Sequence, residues 1–473
     1  MKNKLRLCSL MLFFVFVLQL CACSNGGNDP SSTTAGQSTT AATETTEETT
    51  TTTTVEETTI EAQKMILGNG SEQINLWSYS SEVFDFVSNY MRIHPEFSDK
   101  YKVVCYLYDS MTYQSMLNIL LRKGGTDAPD IYVVECAFAS DYTQGSMSEY
   151  AATYKELGID VDAKIKDADI QQYIVDVGTR NGEVVGLTYD NSAGLMIYNY
   201  AIAKKVFGTG DPDKIEEIFG AGSGNLDKFM EASAKLKSKG YSVVSGPSEV
   251  WNMCDSSATT PWVVNGDVNL APERENYLDV GKQLVSNGWT PNSKNWTQEW
   301  YNDMSGNKVF AYFEPAWFVN YTMQDHAKSG NWRVCTPPVG FYSGGNWILA
   351  RKGTSQKEGV AELIEWMTLD TSKQGLQYSL ASQKGYVTPV SSNTVMSSLK
   401  GTLKFLNNQD MFPVIINSGK YVKVSSVQKY DYTISSIFKE YASKYFEGEY
   451  DDKQRVVSSF KSAVKDRINI SDV

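Results

Sequence analysis

The chain has 473 residues, a formal net charge of -12 at pH 7 and a pI of about 4.9. A chain of this length can bury two sizeable cores, and its acidic balance argues against a nucleic-acid partner and against surface binding to anionic lipid. Its two histidines, His94 and His326, leave little room for histidine catalysis or a histidine metal site, so we expect neither a metal nor a cofactor.

Residues 1–22 are typical of a secretion signal, which does not belong to the fold. Basic residues open the segment, and the apolar run from Leu10 to Leu20 is too short to span a bilayer comfortably. The following Cys21-Ala22-Cys23 resembles the lipobox of bacterial lipoproteins, in which a small residue precedes the cysteine that receives the lipid. The resemblance implies that a lipid on Cys23 anchors the protein to the extracytoplasmic side of the bacterial cell membrane. An ordinary signal peptide with incidental cysteines is the alternative.

Residues 23–63 continue as a linker rich in Thr, Ser, Gly and Glu and poor in apolar side chains. Such a composition cannot bury enough apolar surface to offset its chain entropy, so it predicts a disordered segment. A flexible spacer after a lipidated cysteine would hold a folded body away from the membrane.

The body opens with strands and helices in alternation. Apolar runs that begin near residues 74, 101 and 130 predict three strands, and two amphipathic segments predict the helices between them. This order indicates right-handed crossovers and a parallel sheet. Tyr79, Asp109 and Glu135 follow or end these strands, at the carboxyl edge where α/β folds bind ligands.

The middle of the body repeats the same pattern. A helix is predicted at 169–177, and strands are predicted at 182–188 and 241–245. Asp190 follows the first of these strands and therefore reaches the same kind of sheet edge. Trp77 and Trp347 lie within strands, so we expect both in the core.

Trp317 lies where a strand passes into a helix. Residues 309–313 predict a short buried strand, and Glu314-Pro315 is expected to stop it because proline cannot donate to a ladder. Proline is also favoured in the first turn of a helix, which here continues toward Gly330. The tryptophan is therefore either at a ligand-binding edge or in the core.

Four cysteines remain in the body, namely Cys105, Cys136, Cys254 and Cys335. Their wide spacing is neither a zinc pattern nor a disulfide framework. We expect free thiols, with a Cys105–Cys136 bridge between neighbouring strands as the alternative.

From Ile74 to Ile468 the order of these features resembles the family 1 extracellular solute-binding proteins of bacterial ABC transporters, the group that includes maltose-binding protein. Each matching segment is degenerate, but all occur in the family's order. The segments are APDIYVVE, VVGLTYDNSAGLMIYN, NLDKFMEASAKLKSKG, MSGNKVFAYFEPAWFV, GGNWILARKGTSQKEGVAELIEWM and QKGYVTPVSS.

The resemblance implies an α/β fold of two lobes, of the type II-like periplasmic-binding-protein kind, with mostly parallel sheets flanked by helices. Three hinge crossings are implied near residues 189–191, 342–345 and 385–391, and they allow the lobes to close over a ligand. The implied lobes are residues 72–190 plus 345–388, and residues 191–344 plus 389–473.

A sugar offers apolar C–H faces and a ring of hydroxyls, so its site needs flat aromatic surfaces and fixed polar groups. The resemblance places Trp317 where a sugar-stacking tryptophan is common, although Pro315-Ala316 replaces the family's glycine. It places Trp251 at a second cleft position, with Glu249 beside it to accept hydroxyls, and it puts Ser192 where maltose-binding protein has a glutamate. The other predicted contacts, each with packing or helix capping as its alternative, are Tyr79, Asp109, Glu135, Asp190, Tyr430 and Tyr432.

The implied function is a lipid-anchored, monomeric, non-enzymatic protein that captures a mono- or oligosaccharide and delivers it to an ABC permease. The alternative is a cell-surface enzyme such as a glycoside hydrolase with two carboxylates. No nucleophile-base pair, HExxH motif or phosphate loop in the sequence supports that alternative. Members of the family outside sugar uptake bind polyamines, thiamine or iron, of which iron fits the scarcity of histidine least.

Overall fold

The computed structural model describes residues 62–383, 386–424 and 430–468. The predicted signal peptide, the lipidation site at Cys23 and the linker up to residue 61 lie outside the described residues, as does Gly385 at the start of the third predicted crossing. Within the described ranges, no helix has both the length and the apolar character needed to cross a membrane.

Strands and helices alternate along the described chain. The strands are β1 (Gln63–Leu67), β2 (Glu72–Ser78), β3 (Tyr101–Leu107), β4 (Ile131–Glu135), β5 (Thr179–Arg180), β6 (Glu183–Val184), β7 (Gly186–Thr188), β8 (Gly194–Asn199), β9 (Val263–Val264), β10 (Asp267–Val268), β11 (Ala311–Pro315), β12 (Trp332–Cys335), β13 (Asn346–Ala350), β14 (Thr402–Leu403) and β15 (Gln409–Asp410). The α-helices are α1 (Glu82–Ile93), α2 (Pro95–Lys100), α3 (Ser110–Lys123), α4 (Cys136–Thr143), α5 (Val161–Ala168), α6 (Gln172–Val177), α7 (Tyr200–Phe207), α8 (Pro212–Phe219), α9 (Asp227–Ser238), α10 (Trp251–Ser256), α11 (Pro272–Ser286), α12 (Gln298–Ser305), α13 (Ala316–Phe318), α14 (Gln324–His326), α15 (Lys357–Thr368), α16 (Leu376–Ala381), α17 (Asn393–Ser398), α18 (Phe412–Gly419), α19 (Asp431–Glu447) and α20 (Lys453–Arg467).

The first sheet has six strands in the order β1-β3-β2-β4-β13-β7. Its parallel pairs are β2 with β3 and β2 with β4, as the alternation of strands and helices predicts. β1, β13 and β7 pair antiparallel with their neighbours, so the predicted predominance of parallel strands is wrong. Two of the antiparallel pairs arise because β13 enters this sheet from a distant part of the chain and inserts between β4 and β7, and the third is the edge pair of β1 with β3.

The interior strands of this sheet are buried along most of their length, as expected of strands covered on both faces. Trp77 in β2 and Trp347 in β13 are each 1% exposed. The prediction that both tryptophans are core residues is therefore confirmed.

The second sheet has three antiparallel strands in the order β11-β8-β12. Glu314 and Pro315 remain in β11, where they pair with Leu195 and Gly194 of β8. The prediction that Glu314-Pro315 stops the strand is therefore wrong. β11 lies at the edge of the sheet, where a proline can be accommodated without breaking a ladder on its outer side.

Other segments also differ from the prediction. The helix expected at 169–177 begins only at Gln172, as α6, because Asp169 adopts a left-handed conformation with φ of 50° and ends the preceding helix α5. The strand expected at 241–245 is reduced to one parallel bridge between Ser242 and Val309. Helix α4, which follows β4 directly, is not predicted from the sequence.

The two faces of the second sheet belong to different cores. Ile197 and Tyr312 pack in the core that also holds the first sheet. Their strand neighbours Met196 and Phe313 pack in a second core with the C-terminal helices. This division follows from the alternation of side chains along a strand. We call the first sheet with its helices the first lobe, and the second sheet with the second core the second lobe.

The segments at the predicted crossings lie side by side. Residues 189–193 join β7 to β8, and residues 336–345 join β12 to β13, so both pass between the sheets. Ser343 donates its backbone N–H to the carbonyl oxygen of Ser192 at 3.1 Å, and the N–H of Asn191 lies 3.2 Å from the carbonyl oxygen of Pro389. The three segments are thus joined to one another by backbone hydrogen bonds.

The four body cysteines are free thiols, and three of them are buried. The exception is Cys136, which is half-buried at the start of α4. A Cys105–Cys136 bridge is therefore wrong, and the free-thiol prediction is confirmed.

Candidate functional site

One edge of the first sheet collects polar side chains. Tyr79 follows β2, Glu135 ends β4 and Asp190 follows β7 by two residues. These three strands run in the same direction, so their carboxyl ends meet at one edge. Asn346, the first residue of β13, pairs with Glu135 at the same edge.

A chain of hydrogen bonds fixes the side chains along this edge. Tyr79 donates its hydroxyl to Oδ1 of Asn346. Nδ2 of Asn346 donates to the hydroxyl oxygen of Tyr189 at 3.0 Å, and Tyr189 donates to Oε2 of Glu82 at 2.7 Å. The network joins β2, β13, the first crossing and helix α1, and it holds donors and acceptors in fixed positions.

The edge also gathers carboxylates. Burial raises the pKa of Glu135 to about 7, with the charge of Asp190 acting in the same direction. Burial likewise raises the pKa of Asp190 and that of Glu82. The pKa of Tyr79 is raised well above its usual value by burial and then by the charges of all three carboxylates.

Two glycines in the second crossing allow the side chains of Trp317, Ser192 and Asp190 to lie close to the backbone. Gly344 and Gly345 have φ of 80° and 109°. A side chain at Gly344 would place its β-carbon 3.0 Å from Nε1 of Trp317. A side chain at Gly345 would place its β-carbon 3.2 Å from Oγ of Ser192 and 3.3 Å from Oδ1 of Asp190. Glycine at both positions keeps this space open.

Trp317 is half-buried at the end of the second sheet that faces the crossings. Pro315, two residues before it, pairs with Gly194, which itself lies two residues after Ser192 of the first crossing. The indole Nε1 of Trp317 donates to the carbonyl oxygen of Ser343 at 2.9 Å. The structure thus brings Trp317 to the same crossing that carries the glycine pair.

The segment after α13 is a π-helix, Val319–Met323, a conformation often found at functional sites. Asn320 donates its Nδ2 to the carbonyl oxygen of Val387 at 2.5 Å. Tyr321 contacts Tyr386 edge to face, with ring centroids 5.8 Å apart. This segment therefore contacts the third crossing, and Tyr321 remains exposed.

The two predicted tyrosines at the start of α19 differ in position. Tyr432 is 41% exposed and contacts the ring of Phe138 in α4, with centroids 5.4 Å apart. The charge of Glu135 raises its pKa after burial, so Tyr432 approaches the polar edge of the first lobe. Tyr430 is half-buried and packs against the second core, which supports its packing alternative.

Asp109 lies at the carboxyl end of β3, but its side chain is used locally. One of its carboxylate oxygens accepts the backbone N–H of Met111 at 2.9 Å, so it caps α3. Glu135 caps α4 in the same way through Ala137 at 2.8 Å. Both residues therefore cap a helix, as the alternative for each predicted. Glu135 also belongs to the set of three carboxylates at the polar edge, with Glu82 and Asp190.

Trp251 and Glu249 require a correction. Trp251 is 5% exposed and packs against Trp262 and Phe438 in the second core. Glu249 is also buried; Trp300 Nε1 donates to it at 2.6 Å, and burial raises its pKa to about 7. The 3₁₀ turn Pro247–Val250, which follows the segment predicted as a strand, directs both side chains inward.

The sequence prediction missed several residues of the site. Glu82, Tyr189 and Asn346 form its hydrogen-bond network, and Tyr321 presents an exposed ring beside the third crossing. Asn346 could have been identified as a site residue from the sequence, since it follows Gly344-Gly345 and is the first residue of a strand. Nothing in the sequence identifies Tyr189 and Tyr321 as site residues, because an aromatic residue beside a strand or helix end is usually packed.

Two open surface cavities, of about 610 and 540 Å³, lie away from this edge. One is lined by acidic residues of α8 and the loop after it, and the other by residues around α6 and β5. In the described part of the chain, no group of three or more His, Cys, Asp or Glu side chains could hold a metal ion.

Comparison with protein families matches residues 96–397 to the model described as bacterial extracellular solute-binding protein. No curated protein sequence matches the chain.

Solved structures of low sequence identity share the fold. A crystal structure of an extracellular solute-binding protein of family 1 is 16% identical with a TM-score of 0.69, over 84% of this chain and 99% of that chain. The sugar-binding protein MalE of the phytopathogen Xanthomonas citri is 13% identical with a TM-score of 0.65, over 83% of this chain and 96% of that chain. The galacto-N-biose/lacto-N-biose I-binding protein of a Bifidobacterium longum ABC transporter, in complex with lacto-N-biose, is 17% identical with a TM-score of 0.61, over 85% of this chain and 98% of that chain.

Proposed function

This chain belongs to the bacterial extracellular solute-binding proteins, and from that membership we propose that it captures a carbohydrate between its two lobes and delivers it to an ABC permease. The similar solved structures support a carbohydrate, since their names include a sugar-binding protein and a complex with lacto-N-biose. The proposed lobes are residues 72–190 plus 345–388 and residues 191–344 plus 389–473, with the three crossings as the hinge.

The observation that carries the proposal is the position of Trp317 beside the hydrogen-bonded edge of the first lobe. Its half-buried indole donates to the carbonyl oxygen of Ser343 at 2.9 Å and lies next to Gly344, two residues before Asn346. A flat aromatic face beside fixed hydroxyl, amide and carboxylate groups suits the apolar face and the hydroxyl ring of a sugar. The ligand contacts that we retain are Trp317, Tyr79, Glu135, Asp190 and Tyr432.

We do not propose an enzyme. A glycoside hydrolase would need two carboxylates placed on either side of a glycosidic bond, and Asp109 is occupied in capping α3. Incubation of the protein with a panel of glycosides should release no reducing sugar. Measurable turnover, lost on Glu135→Gln, would contradict the binding function and favour the enzyme.

A thermal-shift screen with mono- and oligosaccharides tests the proposal directly. A ligand that binds the folded state alone must raise the melting temperature. We expect at least one saccharide to give a concentration-dependent rise that isothermal titration confirms as binding. No response to a broad saccharide panel, together with a response to another class of solute, would contradict a carbohydrate ligand.

Lipid anchoring at Cys23 belongs to the same proposal and rests on Cys21-Ala22-Cys23 and the linker after it. Mass spectrometry of protein extracted from membranes should find a lipid-modified Cys23 at the mature N-terminus. Replacing Cys23 with serine should release the protein from the membrane fraction. A mature protein that begins elsewhere without a lipid would contradict the anchor.

Hinge closure is the motion expected of two lobes joined by three crossings. Small-angle scattering should give a smaller radius of gyration at saturating ligand than without ligand. An unchanged radius of gyration with bound ligand would argue against a hinge while leaving ligand binding intact.

A further inference from the structure

Three carboxylates at the proposed site have no basic partner. Glu82, Glu135 and Asp190 are half-buried at the polar edge of the first lobe. Among the described residues, no Lys, Arg or His forms an ion pair with any of them. Gathering like charges in a partly buried site without a counter-charge is unfavourable.

Elsewhere the same chain neutralises carboxylates in comparable surroundings. Asp255 lies 2.6 Å from the buried Arg274, and the buried Asp130 lies 3.7 Å from Arg351. Glu249 and Glu314 also lack a basic partner, but both are sealed inside the second lobe, at 2% and 8% exposure. The carboxylates at the polar edge differ from these four, because they lack a cation and are only half-buried, which leaves a face open to a ligand.

Their hydrogen-bonding capacity is only partly used within the protein. Glu82 accepts from Tyr189, Glu135 accepts from the N–H of Ala137 and Asp190 accepts from Oγ1 of Thr188. An ionised carboxylate offers about four acceptor positions. Acceptor positions therefore remain for donors on a ligand.

An unpartnered buried hydroxyl lies beside the same carboxylates. Ser192 is 2% exposed, and its Oγ has no hydrogen-bond partner within the protein. It lies 3.2 Å from the β-carbon position of Gly345, and Oδ1 of Asp190 lies 3.3 Å from that same position. A buried polar atom without a partner is costly, and this one borders the space next to Asp190.

Aromatic rings near these carboxylates offer a second means of holding a cation. Tyr79 is linked to Glu82 by hydrogen bonds through Asn346 and Tyr189. Tyr321 is 38% exposed, and its partial burial and the charges of Glu82 and Asp190 raise its pKa. A cation over the face of such a ring is attracted by its quadrupole. Carboxylates and aromatic faces together are more complementary to a positively charged amine than to the hydroxyl groups of a neutral sugar.

We infer that the bound carbohydrate carries a protonated amine, and that Glu135 and Asp190 hold this amine beside Tyr79 and the Ser192 hydroxyl. The inference rests on the proposed carbohydrate function and narrows it to an amino sugar. A neutral saccharide would leave the three carboxylates without a counter-charge, and an anionic saccharide would be repelled by them.

The test compares saccharides that differ at one nitrogen. Isothermal titration at pH 7 would use glucosamine, galactosamine and mannosamine, their N-acetyl forms and the parent hexoses, together with the corresponding β-1,4-linked glucosamine, N-acetylglucosamine and glucose disaccharides. We expect a free-amine form to bind at least tenfold more tightly than its N-acetyl and hydroxyl counterparts. We also expect this preference to shrink as salt rises from 50 to 500 mM, since salt screens charge pairs.

Matched variants separate the charge from the shape of the site. Glu135→Gln and Asp190→Asn should reduce the preference for the amine to less than threefold while the variants still bind the neutral analogue. Glu72→Gln, at the opposite end of β2 and exposed, should leave the preference unchanged. Retention of the full preference in both site variants would contradict the role assigned to their charges.

The remaining outcomes distinguish failure of the amino-sugar inference from failure of the proposed carbohydrate function. Equal or tighter binding of the N-acetyl or hydroxyl form would contradict the inference that the ligand carries an amine. It would leave the proposed carbohydrate function intact. Binding of putrescine with no binding of any saccharide in the panel would overturn the carbohydrate function, and the amino sugar with it.

Discussion

The indole nitrogen of Trp317 lies 2.9 Å from the carbonyl oxygen of Ser343, to which it donates. Ser343 in turn donates its backbone N–H to Ser192 at 3.1 Å. The tryptophan is therefore connected, through two hydrogen bonds, to two of the segments about which the lobes are proposed to rotate. A ligand stacked on this indole would act on the hinge as well as on the second lobe.

Trp317→Ala should weaken saccharide binding by about 2 kcal/mol or more, the range of a binding hot spot. The residue is half-buried, so its removal takes a large apolar face from the site and less from the core. The melting temperature without ligand should fall only slightly. Isothermal titration and thermal denaturation of the variant measure the two quantities separately.

Trp251→Ala provides the matched control, because that indole is 5% exposed in the second core. Its truncation should cost about 3–5 kcal/mol of stability through the cavity it leaves, while the folded fraction binds saccharide normally. If the two variants exchanged these phenotypes, Trp317 would be a packing residue and Trp251 a ligand contact.

Gly345→Ala should reduce both stability and ligand affinity. A β-carbon there would press on Ser192 and Asp190, at 3.2 and 3.3 Å, in a left-handed backbone. Gly353→Ala is the control, since its φ is 78° and a β-carbon there would meet no atom within 4 Å. Each substitution should cost about 1–2 kcal/mol of stability from the backbone. Only Gly345→Ala should also weaken binding, by about tenfold or 1.4 kcal/mol, and equal affinities in both variants would show that Gly345 does not border the site.

The free energy of unfolding should fall as the pH rises from 5 to 8. The folded pKa of Glu249 is about 7 against an ordinary value of 4.5. In this window the folded state therefore retains a proton that the unfolded state releases, and stability is lost with rising pH. Glu249→Gln should lose less stability than the wild type over this range, by a difference on the order of 2 kcal/mol.

Urea denaturation at pH 5, 6, 7 and 8 measures this difference. Burial raises the pKa of Glu135 and of Glu314 in the same direction, so the substitution should reduce the pH dependence without abolishing it. An identical pH dependence in variant and wild type would show that Glu249 does not titrate in this range.

The contact between Phe138 and Tyr432 should stabilise the ligand-bound state. The two rings come from different lobes and their centroids lie 5.4 Å apart. A double-mutant cycle of Phe138→Ala and Tyr432→Ala, measured on the ligand dissociation rate, should give a coupling of about 0.5–1.5 kcal/mol. Additive effects of the two substitutions would indicate that the rings do not meet while ligand is bound.

The fold could be predicted further than the site. Alternating strands and helices fixed the parallel pairing of β2 with β3 and β4, since that pattern permits few topologies. The antiparallel insertion of β13 and the persistence of β11 through Pro315 depend on partners distant in the sequence. Local propensity carries no information about such partners.

At the site, the strand ends predicted the polar edge that includes Tyr79, Glu135 and Asp190. The resemblance placed Glu249 in the cleft, whereas the 3₁₀ turn Pro247–Val250 buries its side chain. Glu82 and Tyr189 were missed because their hydrogen bond joins residues 107 positions apart. A sequence alone does not show which half-buried polar residues meet across such a distance.

Strand β1 covers the outer edge of β3 over five residue pairs, from Gln63 with Leu107 to Leu67 with Val103. Most of it is exposed, including 64% of Ile66, so it adds little to the core and mainly occupies backbone groups that β3 would otherwise present to solvent. β1 is itself an edge strand, but it is short and carries Lys64, whereas an uncovered β3 would present a longer, more apolar edge as a template for pairing with another chain. A protein shortened to begin after Leu67 should therefore fold and yet self-associate with increasing concentration. A protein that begins at residue 62 keeps β1 and should remain monomeric by sedimentation. Whether purified protein self-associates therefore depends on whether residues 63–67 are retained.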